Sequence, residues 1–468
     1  MAEQTPPIPS IYSSSSTVAE TPVSPVSSVA SVVTPKKPFL KYLVFIFLGL
    51  ALIGGIIFFL VRRNSNKGSS GEITWWGLWE DEPTVAPLIT EYQLKNPKVT
   101  IKYVKQSQQD YRERLTNALA KGTGPDIFTF HNSWVPMFKN DLNLMPATVM
   151  SASEFAQIFY PVAASDLIMG TGILGIPLEY DAITLFINDD LFASAGATPP
   201  ATWDDLRKTA IILTQKDERG IILQSGVALG RTENVDHWPE ILALMMLQNG
   251  VDLAKPAGRL AQDALTFFTL FSSTDGVWDA TLPKSTAMFA GGKLAMYFGP
   301  SWRAFEIAQQ NPSLKFSTFP LPQLPKASSG QKDVAYASYW AEGVWEKSKN
   351  KTVAWDFLKF ISSQDSLAKL YANAAKQRTF GEPYPRVDMA GLLSSHPVLG
   401  SIVSKAPNAR SWYLQSRTFD GPTGINSLIN KYFEDAINAV NSGTAADKAL
   451  ETAAQGVAQV LRQYGVTK

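Results

Sequence analysis

Residues 73–130 read ITWWGLWEDEPTVAPLITEYQLKNPKVTIKYVKQSQQDYRERLTNALAKGTGPDIFTF. Short apolar runs alternate here with longer stretches at helical spacing. Ile73 to Trp76 is a strand signal and Pro83 to Leu94 a helix. In Val99 to Val104, Val99, Ile101 and Tyr103 alternate with Thr100 and Lys102, the period of a half-buried strand. Asp110 to Ala120 follows as a helix closed by Gly122, and Asp126 to Phe130 as a third strand. A β-α-β-α-β order builds a parallel sheet whose ligand-binding loops lie at the carboxyl ends of its strands. The expected fold class is α/β.

Upstream, Tyr42 to Val61 is an unbroken apolar run, YLVFIFLGLALIGGIIFFLV. Twenty residues rise about 30 Å as a helix, the thickness of a bilayer's hydrocarbon core. A signal peptide would show a shorter run and a small-residue cleavage site, whereas Arg62 and Arg63 follow at once. We therefore expect a transmembrane helix at 39–61, a disordered Ser/Thr/Pro-rich tail at 1–38 and a flexible linker at 62–72. Lys36, Lys37 and Lys41 on one flank match Arg62, Arg63 and Lys67 on the other, so charge does not set the orientation. The remaining 73–468 is long enough for two domains.

The chain carries 42 basic and 41 acidic residues, a net charge of +1. No basic face is available for a phosphate backbone, so no nucleic-acid partner is expected. There is no cysteine, so the apolar helix itself must serve as the anchor. The three histidines, His131, His237 and His396, lack metal-ligand spacing. Gly170-Thr-Gly172-Ile-Leu-Gly175 matches G-x-G-x-x-G, but Pro177 follows directly and disfavours a helix there. A turn before a strand is expected instead. Asp189-Asp190 and Asp204-Asp205 sit at helix starts, where they complement the dipole. Thr202-Trp-Asp-Asp205 is itself a capping signature. No catalytic constellation, cofactor motif or metal site is evident, and the chain is not expected to be an enzyme.

Several segments, in order, resemble the family 1 extracellular solute-binding proteins, the capture component of bacterial ABC importers for sugars. A strand enters Trp75-Trp76-Gly77-Leu78-Trp79. Gly124-Pro125-Asp126-Ile127-Phe128 resembles the family's "GPDI" strand. Ile176-Pro177-Leu178-Glu179 leads to Leu185-Phe186-Ile187-Asn188-Asp189-Asp190-Leu191-Phe192, similar to a "YNKDLF" signature with Ile187 for Tyr and Asp189 for Lys. Pro199-Pro200-Ala201-Thr202-Trp203-Asp204-Asp205-Leu206 resembles "PPTWDEL". Phe289 to Met296 with Gly299-Pro300-Ser301-Trp302 resembles "FxxGKAAM…GxW", and Lys349 to Phe360 the "NKEAAWDFLKF" helix. The stretch from Arg378 to Pro385 departs from the small turn usual there.

The resemblance implies a periplasmic-binding-protein-like fold of two α/β lobes with a ligand cleft between them. Lobe 1 is expected at 73–177 plus 335–385 and lobe 2 at 178–334 plus 386–468. Sugars offer apolar faces and hydroxyl rims, so a site wants aromatic plates with polar groups at their edges. The candidate ligand-binding residues are Trp75, Trp79, Glu80, Phe130, His131, Asn132, Trp134, Glu179, Trp302, Trp340 and Trp412. Trp203 and Trp355 are expected in the core. The expected partners are a carbohydrate ligand, the transmembrane subunits of an ABC permease, and the membrane through the N-terminal helix. The C-terminal domain would then be extracytoplasmic at the cell membrane. A sensory or adhesive domain and a polysaccharide-acting enzyme are the alternatives.

Overall fold

Strand β1 (Gly71–Gly77) opens inside the expected linker, because Gly71 already pairs with Val99 of β2 (Val99–Lys105). The computed structural model describes residues 70–466, apart from 327 and 329. The tail expected at 1–38 and the apolar helix expected at 39–61 lie outside the described residues. Among those described, no helix is long and apolar enough to cross a membrane.

The helix between these strands, Glu82–Lys95, buries Val85, Leu88, Ile89 and Tyr92, one stripe at helical spacing. The next helix, Tyr111–Ala120, ends where Gly122 takes φ +75° and the Thr123 amide bonds the Ala118 carbonyl. It leads into β3 (Ile127–His131), parallel to β1. The G-x-G-x-x-G stretch is a hairpin, Ile168–Met169 against Gly172–Ile173, followed by β4 (Ile176–Pro177), as its proline predicts.

A second sheet then begins with β5 (Thr184–Asn188), whose last residue caps the helix Asp189–Ala195 through Leu191 N–H. Thr202 caps the helix Trp203–Leu213 by accepting from the Asp205 amide. The sheet continues with β6 (Gln215–Lys216), β7 (Ile222–Val227), β8 (Leu294–Gly299) and β9 (Phe316–Phe319), in the order β9-β5-β8-β7-β6. Finally β10 (Trp340–Val344) returns to the first sheet, running antiparallel between β3 and β4 in the order β2-β1-β3-β10-β4. The helix Lys351–Ile361 buries Val353, Ala354, Phe357, Leu358 and Ile361, one face at helical spacing. Trp203 and Trp355 are core residues, with indole N–H groups bonded to Gln248 and Asn143. The closing helices, Ile425–Asn441 and Ala446–Gln463, pack on each other.

Two buried features test this packing. At Gly226 of β7, a Cβ would lie 2.1 Å from the Ala210 carbonyl oxygen of the helix Trp203–Leu213. Backbone cannot swing aside as a side chain can, so Gly226→Ala is expected to destabilise by about 2–3 kcal/mol. Chemical denaturation would read this as a lower midpoint, and an unchanged midpoint would refute the close approach. Glu342 of β10 is 7% exposed and accepts from Trp75 Nε1 (2.8 Å) and Thr129 Oγ1 (2.7 Å), tying β1, β3 and β10 together. Burial pushes its carboxyl up to about 7, against the pull of those two donors. A carboxyl raised above its unfolded value contributes stability present at low pH and lost as pH climbs through the folded value, roughly 3 kcal/mol in full. Glu342→Gln keeps the acceptor for the indole and cannot ionise. Its melting temperature should therefore gain on the parent's between about pH 5 and about pH 8. A gap that does not change with pH would contradict a protonated Glu342.

Candidate functional site

A cleft with a volume of about 400 Å³ is lined by residues that follow or precede strands of both sheets. That volume is in the range of small-molecule sites. Trp79, after β1, and His131, at the end of β3, come from carboxyl ends of parallel strands. Trp340 starts β10 and stands opposite His131 in the ladder, because β10 runs the other way. From the second sheet come Pro300, Trp302 and Phe305, after β8, and Asp181 and Ile183, before β5.

Trp340 is a fixed plate. Its amide donates to Glu179 Oε1 (3.1 Å), and three rings hold it edge-on: His131 at 4.9 Å, Trp79 at 5.2 Å and Trp134 at 5.3 Å between centroids. Burial lowers the His131 ring to about 3, so it is neutral, with its nitrogens bonded to Ser133 and Ser338. Trp302 is held from the opposite side. The Arg303 guanidinium lies 4.4 Å from its ring centroid, a cation–π contact. Arg303 Nε donates to His237 Nε2 (2.9 Å), which leaves the His237 proton on Nδ1 toward Ser416 Oγ (3.1 Å). Ser416 in turn donates to Glu240 from both its amide and its hydroxyl.

An acidic rim lines the same cleft. Arg378 Nη2 bridges Glu80 Oε1 (2.7 Å) and Glu382 Oε1 (2.9 Å). Burial first, and then the charge of Glu382, hold the Glu179 carboxyl well above the usual range. Burial raises Glu382 as well, against Arg378, and a hydrogen bond joins it to Glu179. Asp181, pushed up to about 7 chiefly by burial, accepts from the Ser301 amide and hydroxyl. Among the described residues, no group of three or more histidine or acidic side chains could hold a metal ion.

Of the predicted residues, the structure brings Trp79, His131, Glu179, Trp302 and Trp340 to the cleft. Trp75 and Glu80 line a smaller space beside it. Four others do not line either space. Phe130 is fully buried, against a backbone that Gly175 and Gly343 keep free of side chains. Asn132 is tied to Asp166 and the Tyr339 amide. Trp134 has no exposed surface and stacks between Tyr111 and Phe138. Trp412 packs on Tyr413, and its carbonyl accepts from Tyr336 and Gln415. Residues that sequence reasoning missed include Asp181, His237, Glu240, Phe305, Arg378 and Glu382. His237 and Glu240 left a readable signal, two polar residues three apart at the head of the very apolar helix Trp238–Gln248. Arg378 and Glu382 lie in the stretch that departs from the family pattern.

Contacts also bridge the cleft. Phe305 follows β8, whereas Phe380 follows the helix Gln364–Ala374, which packs on Glu82–Lys95 beside the first sheet. Their ring centroids are 4.4 Å apart, and the Arg378 guanidinium lies 5.4 Å from the Phe305 ring.

The profile of the bacterial extracellular solute-binding proteins matches residues 87–379. A binding protein of Brucella abortus is 24% identical over 299 residues, 60% of this chain and 69% of that one. A maltotriose-binding protein of Pyrococcus abyssi is 21% identical over 327 residues, 66% of each chain. A sugar-binding protein of Xanthomonas citri has the same fold, with a TM-score of 0.68 at 17% identity, covering 85% of this chain and 98% of that one. The matching profile spans every strand from β2 to β10 and most of the cleft, and the chain belongs to the bacterial extracellular solute-binding protein family.

Proposed function

We propose that this protein captures a carbohydrate, an oligosaccharide by the size of the cleft, and delivers it to the permease of an ABC importer. The observation that carries the reading is the pairing of two held aromatic plates, Trp340 and Trp302, with an acidic rim in the same cleft. Plates bury the apolar faces of a pyranose, and carboxylates accept from its hydroxyls. Maltotriose and sugar binding in the relatives supports the same ligand class. We take the two sheets as the centres of two lobes, 73–177 plus 335–385 and 178–334 plus 386–468, which close on the ligand about a hinge. A glycosidase reading fares worse, because two carboxyl groups about 5–10 Å apart must straddle the bond. Glu179 instead holds the Trp340 amide, and Asp181 the Ser301 amide and hydroxyl.

The apolar run at 42–61 would tether this domain outside the cell, with the tail inside. Protease added to intact cells is then expected to remove the C-terminal domain, and its survival would reverse the orientation. For the ligand, calorimetry on the full chain with a panel of mono- and oligosaccharides should find a single site. Trp302→Ala and Trp340→Ala should each weaken it about tenfold or more, or ~1.4 kcal/mol. Trp412→Ala should leave affinity within about twofold, since that ring is off the cleft wall. Binding indifferent to both plate substitutions would place the ligand elsewhere.

A further inference from the structure

Beside the cleft, in the first sheet's half, lies a second cavity of about 70 Å³. Trp79, Glu179, Trp340 and Glu382 line both spaces, so the two adjoin along one wall. The other walls mix apolar and polar side chains, with Leu78, Val85, Leu178, Leu367 and Leu370 beside Tyr103, Tyr371 and Tyr384, and Glu342 and Thr129 line it as well. Those two are spoken for. Glu342 is taken up by Trp75 and Thr129, and the Tyr103 hydroxyl at the same wall donates to the Glu80 carbonyl. One fully buried donor on this wall is left without a partner. The indole N–H of Trp79, in the wall shared by both spaces, is buried and has no hydrogen-bond partner. Buried polar groups are normally satisfied, so such a group calls for an explanation.

Size and chemistry narrow what belongs there. An apolar cavity of about 150 Å³ holds benzene, six heavy atoms, so this one takes about three. A lone hydroxyl or a water could answer the indole but would leave the leucine faces without contacts. A short acylamino group meets each requirement. Its methyl and carbonyl carbons cover the leucines, its carbonyl oxygen accepts from the Trp79 indole, and its N–H donates to the Glu179–Glu382 pair.

We propose that this annex is an acetamido pocket, and that the ligand held between the plates is an N-acetylated sugar. The inference rests on the carbohydrate reading of the cleft and narrows it to one class. Calorimetry on the full chain would compare three disaccharides of one skeleton: N,N′-diacetylchitobiose, cellobiose, and chitobiose with free amines. The acetylated sugar should bind about tenfold or more tighter than cellobiose. Leu370→Trp and Leu178→Phe, at two half-buried positions lining only the annex, should erase that preference and change cellobiose affinity less than about twofold. Two independent fillings guard against one variant failing to fold, which a thermal melt would reveal.

Equal affinity for cellobiose and its diacetylated counterpart would overturn the proposal, as would a preference that survives both fillings. Tightest binding of the free diamine would overturn it too, showing that the carboxyl pair selects an ammonium. Response to malto- or manno-oligosaccharides without any response to diacetylchitobiose would sink the acetamido pocket alone. Silence across every sugar would sink the carbohydrate reading with it.

Discussion

The pairing of Trp340 with His131 is the constraint on which the cleft depends. β10 enters the first sheet only after the chain has completed the second, and it runs against β3. That direction brings its first residue to the end of β3 where parallel strands present their loops. Had it entered parallel, Trp340 would sit at the opposite edge, away from Trp79 and Glu179. One ladder register thus assembles an aromatic plate from segments more than two hundred residues apart. The same register puts Glu342 opposite Thr129, two positions along and on the same side, where it ties the strands together behind the cleft. Period-two alternation makes this tight: a slip of one residue would exchange Trp340 and Glu342 for Ala341 and Gly343.

The two plates are stiffened by different means. Trp340 is wedged by other rings, whereas Trp302 rests on a guanidinium that is itself oriented by His237, Ser416 and Glu240. The second arrangement places a positive charge, Arg303, only 1% exposed, beneath a ring face. Such a charge needs compensation, and Glu306 and Asp236 supply it. Both schemes fix the ring before a ligand arrives, so less side-chain freedom is lost on binding.

Local signals carried much of the fold. The alternation in β2, the glycine closing Tyr111–Ala120, the Thr202 cap and the proline after Gly175 each follow from their own neighbours. The aromatic and acidic cleft residues near strand ends were also readable, as with Trp79, Glu179 and Trp302. What escaped was direction. Phe130 and His131 are adjacent, yet one faces two glycines in the core and the other faces the cleft. Nothing in a run such as Ile127 to Trp134, buried throughout, announces which face is which. Arg378 and Glu382 were hidden for another reason, since their partners, Glu80 and Glu179, are supplied by distant chain segments.

The Phe305–Phe380 contact joins the two sides of the cleft. Arg378 lies near the same Phe305 ring, so the three side chains form a small latch across the gap. Apparent affinity scales with the fraction of molecules already in the binding-competent arrangement. A residue off the cleft wall would then adjust how tightly a solute is held, by setting how often the molecule rests closed. Phe380 is the place to look for such tuning. Evolution could raise or lower retention there without redrawing the recognition surface, trading capture against the ease of release.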